Sequence, residues 1–231
     1  MNRSEIISAL NDMSDELEEL GVKLDLYIIG GAVIAVKYDP FRVTDDVDSM
    51  FNQEEKVFRA ADAVARKRGL PADWINSSAF SLMDESWPDG LKPGQMEEAV
   101  LLEYSNLTVS SPSSRYLFLL KMLSTRSEKD YTDLGILFPH TGFADFDEAL
   151  DAMREIKPDY GTFIWPEELE SMRRSVSAAQ RTAARTTRVA RKLSVHKTKD
   201  AHTHSSDLCN KWMPRAKRSC SLRTGHKGNC R

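Results

Sequence analysis

The chain has 231 residues, of which 41% are apolar and 29% charged, a composition typical of a soluble globular protein. No apolar run approaches the length of about 18 residues that a membrane span needs. The acidic, amphipathic start "MNRSEIISALNDMSDELEEL" is unlike a secretory signal. These features predict a cytoplasmic protein and argue against a membrane protein.

Charge divides the chain into two parts. Residues 1–171 carry 16 Lys/Arg and 33 Asp/Glu, a balance of −17, whereas residues 172–231 carry 16 and 2, a balance of +14. A basic tail of this kind either binds nucleic acid, or packs on its own acidic body, or is simply solvated.

The first 70 residues predict helices and strands in alternation. Residues 3–20 have apolar side chains at helical spacing, with Ser4 as the expected cap and Gly21 as the stop. "KLDLYIIGG" predicts a buried strand that enters a glycine turn, "AVIAVKY" a short helix, "DPFRV" a loop and "DDVDSMF" a second strand. "NQEEKVFRAADAVARKRG" predicts an amphipathic helix that ends at Gly69.

The rest of the chain predicts an irregular segment, a hairpin and then helices. Residues 70–96 are rich in Pro, Gly and Ser, and "AVLLEYSNLTVSS" is typical of a hairpin. The expected fold is α+β, with a small mixed sheet flanked by helices and followed by a helical half. We predict four parts: a body over 1–160, a long basic amphipathic helix over 161–193, a linker over 194–207 and a small tail unit over 208–231.

Three aspartates follow the loop. Since side chains alternate along a strand, Asp46 and Asp48 share a face and Asp45 points away. Two adjacent carboxylates repel each other unless a cation lies between them, and Mg²⁺ prefers such oxygen ligands. The alternative is a polar turn without a metal.

The two glycines before this strand suit a phosphate. Gly30 and Gly31 lack a Cβ atom, so a ligand can approach the backbone N–H groups of the turn closely. A glycine turn beside two carboxylates is what metal-assisted phosphoryl transfer requires.

The pattern as a whole resembles a known family. An apolar strand, Gly30-Gly31, a short helix and then Arg42-x-Thr44-x-Asp46-x-Asp48 is similar to the nucleotidyltransferase (polymerase-beta-like) superfamily. It is closest to the minimal bacterial branch that includes AbiEii-type toxins. "LPADWIN" and "LFLLKMLSTRSEKDYTDLGIL" also look like segments of this branch, and the resemblance spans roughly residues 5–140.

The resemblance implies a transferase that moves a nucleoside monophosphate from an NTP to an RNA, such as tRNA, or to a protein. It also implies a toxin role, with a cognate antitoxin as partner. Asp46 and Asp48 would bind Mg²⁺. The residues implied to border the triphosphate or the acceptor are Gly30, Gly31, Arg42, Thr44, Lys121, Arg126 and Asp130. Arg126 and Asp130, four apart on one helix face, could alternatively form only a surface salt bridge.

Active members of this superfamily usually carry a third carboxylate on a neighbouring strand, where it helps to deprotonate the acceptor hydroxyl. Glu103 in "LLEYS" is our candidate for this catalytic role, and Asp73 in "PADWIN" is a second one.

The last 23 residues predict a zinc knuckle. Cys209, Cys220, His226 and Cys230 have the spacing C-x10-C-x5-H-x3-C, and three thiolates with one imidazole suit tetrahedral Zn²⁺. Trp212 lies among basic residues and is expected to stack on a base. The alternative is a reduced tail whose cysteines bind nothing.

Three functions follow from these patterns. The first is a Mg²⁺-dependent nucleotidyltransferase. The second is a catalytically degenerate protein of the same fold that binds nucleic acid through residues 166–231. The third is a structural partner whose long helix pairs with another chain.

Overall fold

The computed structural model describes residues 1–50, 54–77, 88–92, 96–124, 127–162, 164–205, 212–213 and 218–219, with side chains as far as residue 186. It divides into two units, Met1–Gln180 and Arg181–Arg231. Within the described ranges, none of the helices combines the length and the apolarity that crossing a membrane requires.

The first unit is built on a mixed sheet with flanking helices, as the sequence predicts. Its strands are β1 (Leu24–Ile28), β2 (Val47–Met50), β3 (Ile75–Asn76), β4 (Glu98–Glu103) and β5 (Leu107–Pro112). Its helices are α1 (Arg3–Glu19), α2 (Gly30–Val33), α3 (Glu54–Arg68), α4 (Ser114–Ser124), α5 (Glu128–Leu137), α6 (Phe146–Ile156) and the start of α7 (Pro166–Ser205). A π-helical turn over Ile34–Tyr38 extends α2, and short 3₁₀ turns cover Asp89–Leu91 and Phe138–His140.

The strand order is β3-β2-β1-β5-β4. Strand β1 is central, antiparallel to β2 and parallel to β5, while β3 is parallel to β2 and β4 is antiparallel to β5. The predicted hairpin is therefore the β4–β5 pair. Strand β3 has no counterpart among the predicted elements, because two residues are too few to show a period.

Local chemistry explains where the first helix begins and ends. The cap of α1 is Asn2 and not the predicted Ser4: Glu5 N donates to Asn2 Oδ1 at 3.0 Å, and Asn2 N donates to Glu5 Oε2 at 2.7 Å. This reciprocal arrangement satisfies two helix-start N–H groups. After the helix, Gly21 has φ +63°, the left-handed conformation that ends helices.

The core lies between the sheet and its helices. The apolar stripe of α1 is fully buried, and Trp74, just before β3, is also fully buried and donates from Nε1 to Ala61 O of α3 at 3.1 Å. This bond fixes the short β3 strand against α3, so the outer edge of the sheet is held at a defined position beside β2.

The long helix α7 begins at Pro166, five residues after the predicted start at 161, and continues past 193 to Ser205, through residues for which the sequence predicts a linker. No Pro or Gly occurs between residues 167 and 205 to end it. In the second unit, Trp212–Met213 pairs antiparallel with Arg218–Ser219. The remaining residues of the predicted zinc knuckle are outside the described ranges.

Candidate active site

A cleft of about 350 Å³ opens at the carboxyl end of β1, where the chain turns through the two glycines into α2. This volume is within the range of small-ligand sites. Its walls come from the glycine turn, the loop before β2, and helices α4 and α5. The predicted residues that line it are Gly30, Gly31, Arg42, Thr44, Asp46, Asp48, Lys121 and Asp130.

The aspartate pair lies on one wall of this cleft. Asp48 is in β2 and pairs in register with Asn76 of β3. Asp46 comes just before β2, and Asn76 Nδ2 donates to its Oδ2 at 2.8 Å. Asp45 is at the rim, with a side chain 97% exposed and 3.6 Å from Lys129 Nζ. The structure thus places Asp46 and Asp48 together with Asn76 and sets Asp45 apart.

The glycine turn is in direct contact with this pair. A Cβ atom on Gly30 would lie 2.9 Å from Asp48 Oδ2, and one on Gly31 would lie 2.6 Å from Thr44 Oγ1. Gly30 also has φ +71°, which other residues rarely adopt. In addition, Ile29 N donates to Asp48 O at 3.1 Å. These contacts hold the turn and the aspartates in one fixed arrangement.

Electrostatics distinguish Asp48 from ordinary surface carboxylates. Burial raises its pKa, the neighbouring Asp46 charge raises it further, and Lys121 partly opposes both effects. In the part of the chain that the structure describes, no ion pair reaches Asp46 or Asp48. A divalent cation between the two carboxylates would relieve this cost, so the donor set fits Mg²⁺.

The opposite wall carries cations that already have partners. Arg42 donates to Asp133 from Nε at 2.7 Å and from Nη2 at 2.9 Å. Lys121 Nζ lies 2.9 Å from Asp130 Oδ1 and 2.9 Å from Asp133 Oδ2. Arg42, Lys121 and Asp130 therefore border the cleft where the sequence predicts. Their charges are shared within this network around the fully buried Asp133, for which the sequence predicts no role.

Glu103 does not meet the expectation of a third carboxylate. It is exposed and pairs with Thr108, which in turn lies beside Asp25 near the amino end of β1. The cleft is at the carboxyl end of β1. Because β4 runs antiparallel to β5, and β5 runs parallel to β1, the carboxyl end of β4 lies beside the amino end of β1. Glu103 is at this end and is therefore away from the cleft.

Asp73 does not supply the third carboxylate either. It is exposed and precedes β3, and the residue that β3 brings to the pair is Asn76. Among the described residues, no group of three or more His, Cys, Asp or Glu is placed to hold a metal ion. The side chain that the structure places beside Asp46 and Asp48 is therefore the amide of Asn76 and not a third carboxylate.

Several predicted residues lie outside the described ranges, and their roles stay predictions. These residues are Arg126, Cys209, Cys220, His226 and Cys230.

Comparisons with known proteins give one weak likeness. No protein-family model matches the chain, and no curated protein matches it. One solved structure that is similar is the crystal structure of an antigenic nucleotidyltransferase-like protein from Paracoccidioides brasiliensis. It shares 15% identity over 74% of this chain and 94% of its own, with a TM-score of 0.39. A likeness at this level assigns neither a family nor an activity, so the function is argued from the cleft itself.

Proposed function

We propose that the protein is a Mg²⁺-dependent nucleotidyltransferase whose active site is the cleft at the end of β1. The observation that carries this proposal is the contact of Asp48 with Gly30: a carboxylate with a raised pKa lies directly against a glycine turn, and both line the cleft. Metal-assisted phosphoryl transfer uses such a combination, with carboxylates for the metal and backbone N–H groups for the phosphates.

Each group of residues has a separate part in the transfer. Asp46 and Asp48 would hold Mg²⁺, which supplies charge neutralisation at the phosphates when bound. Gly30 and Gly31 line the part of the cleft where the triphosphate would lie, and Lys121 adds positive charge to the same cleft. The oxygen of an acceptor hydroxyl then bonds to the α-phosphorus and its proton passes to solvent, while the bond from this phosphorus to the bridging oxygen breaks and pyrophosphate leaves.

The acceptor we propose is an RNA, with a protein as the alternative. The basic C-terminal region favours RNA, since it carries the positive charge that a nucleic acid needs. The toxin role with a cognate antitoxin stays a prediction from the resemblance of the sequence.

The test is a label-transfer assay on the full chain with MgCl₂, total RNA and each NTP in turn. Nucleotidyl transfer moves the label of an α-³²P NTP and leaves that of a γ-³²P NTP behind, whereas phosphoryl transfer does the reverse. Asp48→Asn is expected to lower α-label transfer by about 10³-fold, which is the scale of losing one preorganised charge interaction. The control Asp25→Asn removes a carboxylate from the exposed amino-end position of β1 and should behave as the parent does.

Transfer that survives Asp48→Asn, or movement of the γ-label alone, would show that this proposal is wrong. Label that appears only on protein would show that the acceptor is a protein and not an RNA.

Asn76 favours a second candidate, a degenerate protein that binds nucleotide and Mg²⁺ without efficient turnover. An amide cannot accept a proton from the acceptor as a carboxylate does. The variant Asn76→Asp restores a carboxylate beside Asp46 and Asp48. If the parent binds Mg²⁺–NTP but transfers nothing, and Asn76→Asp transfers label, this second candidate is correct. If the parent transfers label at least as fast as the variant, it is excluded.

A further inference from the structure

The long helix α7 carries a line of positive charge that is separate from the residues of the cleft. From Arg181 onward, cations recur at spacings of four, three, four and seven residues, so that at about 100° per residue they fall within about 60° of arc. We call these positions the basic line: Arg181, Arg185, Arg188, Lys192 and Lys199.

The described side chains agree with an open face at the start of this line. Arg181 and Arg185 are exposed, and no ion pair of the described residues includes either one. No Asp or Glu occurs between residues 171 and 199. Exposed helices commonly alternate charges of both signs, and like charges four apart destabilise a helix. This uncompensated charge indicates a partner that supplies the negative charge.

The spacing and chemistry of the line fit a phosphodiester backbone. Its five positions span about 27 Å along the helix at 1.5 Å per residue. A nucleic acid strand offers one phosphate per about 3.4 Å of duplex axis, so a stretch of about eight phosphates matches the length of the line. Three of the five are arginines, whose planar guanidinium matches phosphate oxygens with two hydrogen bonds.

A membrane surface fits less well. Helices that bind in the membrane interface place Trp, Phe and Leu opposite their basic face. Residues 181–199 contain no Trp, Phe or Tyr, and their apolar residues are mostly Ala and Val with a single Leu.

We infer that the basic line binds the phosphate backbone of a nucleic acid, without reading its sequence. This surface shares no residue with the cleft, and binding there does not depend on Asp46 or Asp48. The shared chemistry is the phosphodiester chain of RNA or DNA, and the experiment distinguishes the two.

The experiment measures anisotropy of labelled oligonucleotides of mixed sequence with the full chain, between about 50 and 200 mM KCl. Five contacts predict a slope of log K against log salt of about −4.5 for a duplex and about −3.5 for a single strand. The variant Arg188→Gln with Lys192→Gln removes two positions of the line and should reduce the steepness of the slope by about 2.

A matched control tests the geometry. The variant Arg191→Gln with Lys197→Gln removes the same charges from the same helix, but its positions lie about 80° and 160° from Arg181. It should keep the parent slope, and circular dichroism should show equal helicity for both double variants. Equal losses of slope in both would mean diffuse attraction and would overturn the inference.

Two further arms complete the test. The variant Asp46→Asn with Asp48→Asn should bind as the parent does, which separates failure of this inference from failure of the proposed transferase. RNA, DNA, single strands and duplexes are compared directly, and binding of any of them with the predicted slope supports the inference. No oligonucleotide binding at about 50 mM KCl, or association only with anionic phospholipid vesicles, overturns it.

Discussion

Two pairs of aspartates lie at or beside the cleft, Asp130 with Asp133 and Asp46 with Asp48, and they differ in whether cations pair with them. Asp133 is completely buried, yet Arg42 and Lys121 both contact it, and Asp130 shares Lys121. Asp48 is only partly buried, but burial and the neighbouring Asp46 charge raise its pKa more than Lys121 lowers it. Burial alone therefore does not mark a binding site. A carboxylate whose charge is already balanced supports the fold, and one whose charge is not balanced favours an external cation.

The largest expected effect comes from removing the balanced carboxylate. Asp133→Ala leaves Arg42 and Lys121 without their shared buried partner and should lower the free energy of unfolding by about 3–5 kcal/mol. Urea denaturation measures this loss. The control Asp159→Ala breaks an exposed pair with Lys157 and should change the same quantity by less than about 1 kcal/mol. A similar loss of unfolding free energy in both variants would show that Asp133 stabilises the fold no more than an exposed carboxylate does.

The unbalanced pair predicts a metal effect of the opposite kind. Without Mg²⁺, Asp48→Asn should raise the free energy of unfolding at neutral pH, because burial and Asp46 penalise the charged form of Asp48. With Mg²⁺ at about 100 times its dissociation constant, the parent should gain about 2.7 kcal/mol and the variant much less. Urea denaturation with MgCl₂ or EDTA measures both. A parent indifferent to Mg²⁺ would contradict the metal site.

The contact between the glycine turn and the unbalanced pair predicts that a side chain at Gly30 destabilises the fold. Gly30→Ala combines an unfavourable φ of about 1–2 kcal/mol with an overlap against Asp48 that adds about 1–3 kcal/mol. Gly69→Ala is a matched control, since Gly69 has φ +66° and no neighbouring atom within 4 Å of the place that a Cβ atom would occupy. Thermal or urea unfolding that shows equal losses would mean that only the backbone conformation matters at Gly30.

The smallest expected effect concerns Asp12, a third carboxylate whose charge is balanced by cations. Burial alone would raise the pKa of Asp12, but bonds from Arg68 and Lys67 outweigh it and hold the pKa below its ordinary value. A carboxylate with a lowered folded pKa stabilises the fold above its unfolded pKa, and this stabilisation is lost as the pH falls through the lowered value. Arg68→Met should therefore cost about 1 kcal/mol at neutral pH and less at about pH 3, as measured by urea denaturation. A cost that is constant with pH would show that packing and not charge is lost.

The sequence predicts those parts of the site that depend on near neighbours. The glycine turn, the hairpin and the selection of Asp46 and Asp48 over Asp45 all follow from local spacing. Two features depend on distant partners and are not readable in this way. Asp133 is 91 residues from Arg42 along the chain, so only the folded structure shows that these two residues form an ion pair. Asn76 reaches the pair on a two-residue strand, which is too short to give a periodic signal.

The same reasoning explains the error over Glu103. The alternation of side chains along β4 predicts the face of the sheet on which Glu103 lies. It does not predict at which end of the sheet the carboxyl end of β4 lies. Only the pairing of β4 with β5, and of β5 with β1, shows that Glu103 is opposite the cleft.

The hydrogen bond from Ile29 N to Asp48 O has a thermodynamic consequence. It joins the backbone that would meet the phosphates to the strand that would hold the metal, so neither part has to be ordered separately when ligands bind. Two ligands that bind to one preorganised frame influence each other reciprocally: the factor by which Mg²⁺ tightens the nucleotide is the factor by which the nucleotide tightens Mg²⁺. If both ligands bind in this cleft, a single main-chain bond, independent of side-chain identity, would contribute to the link between the two affinities.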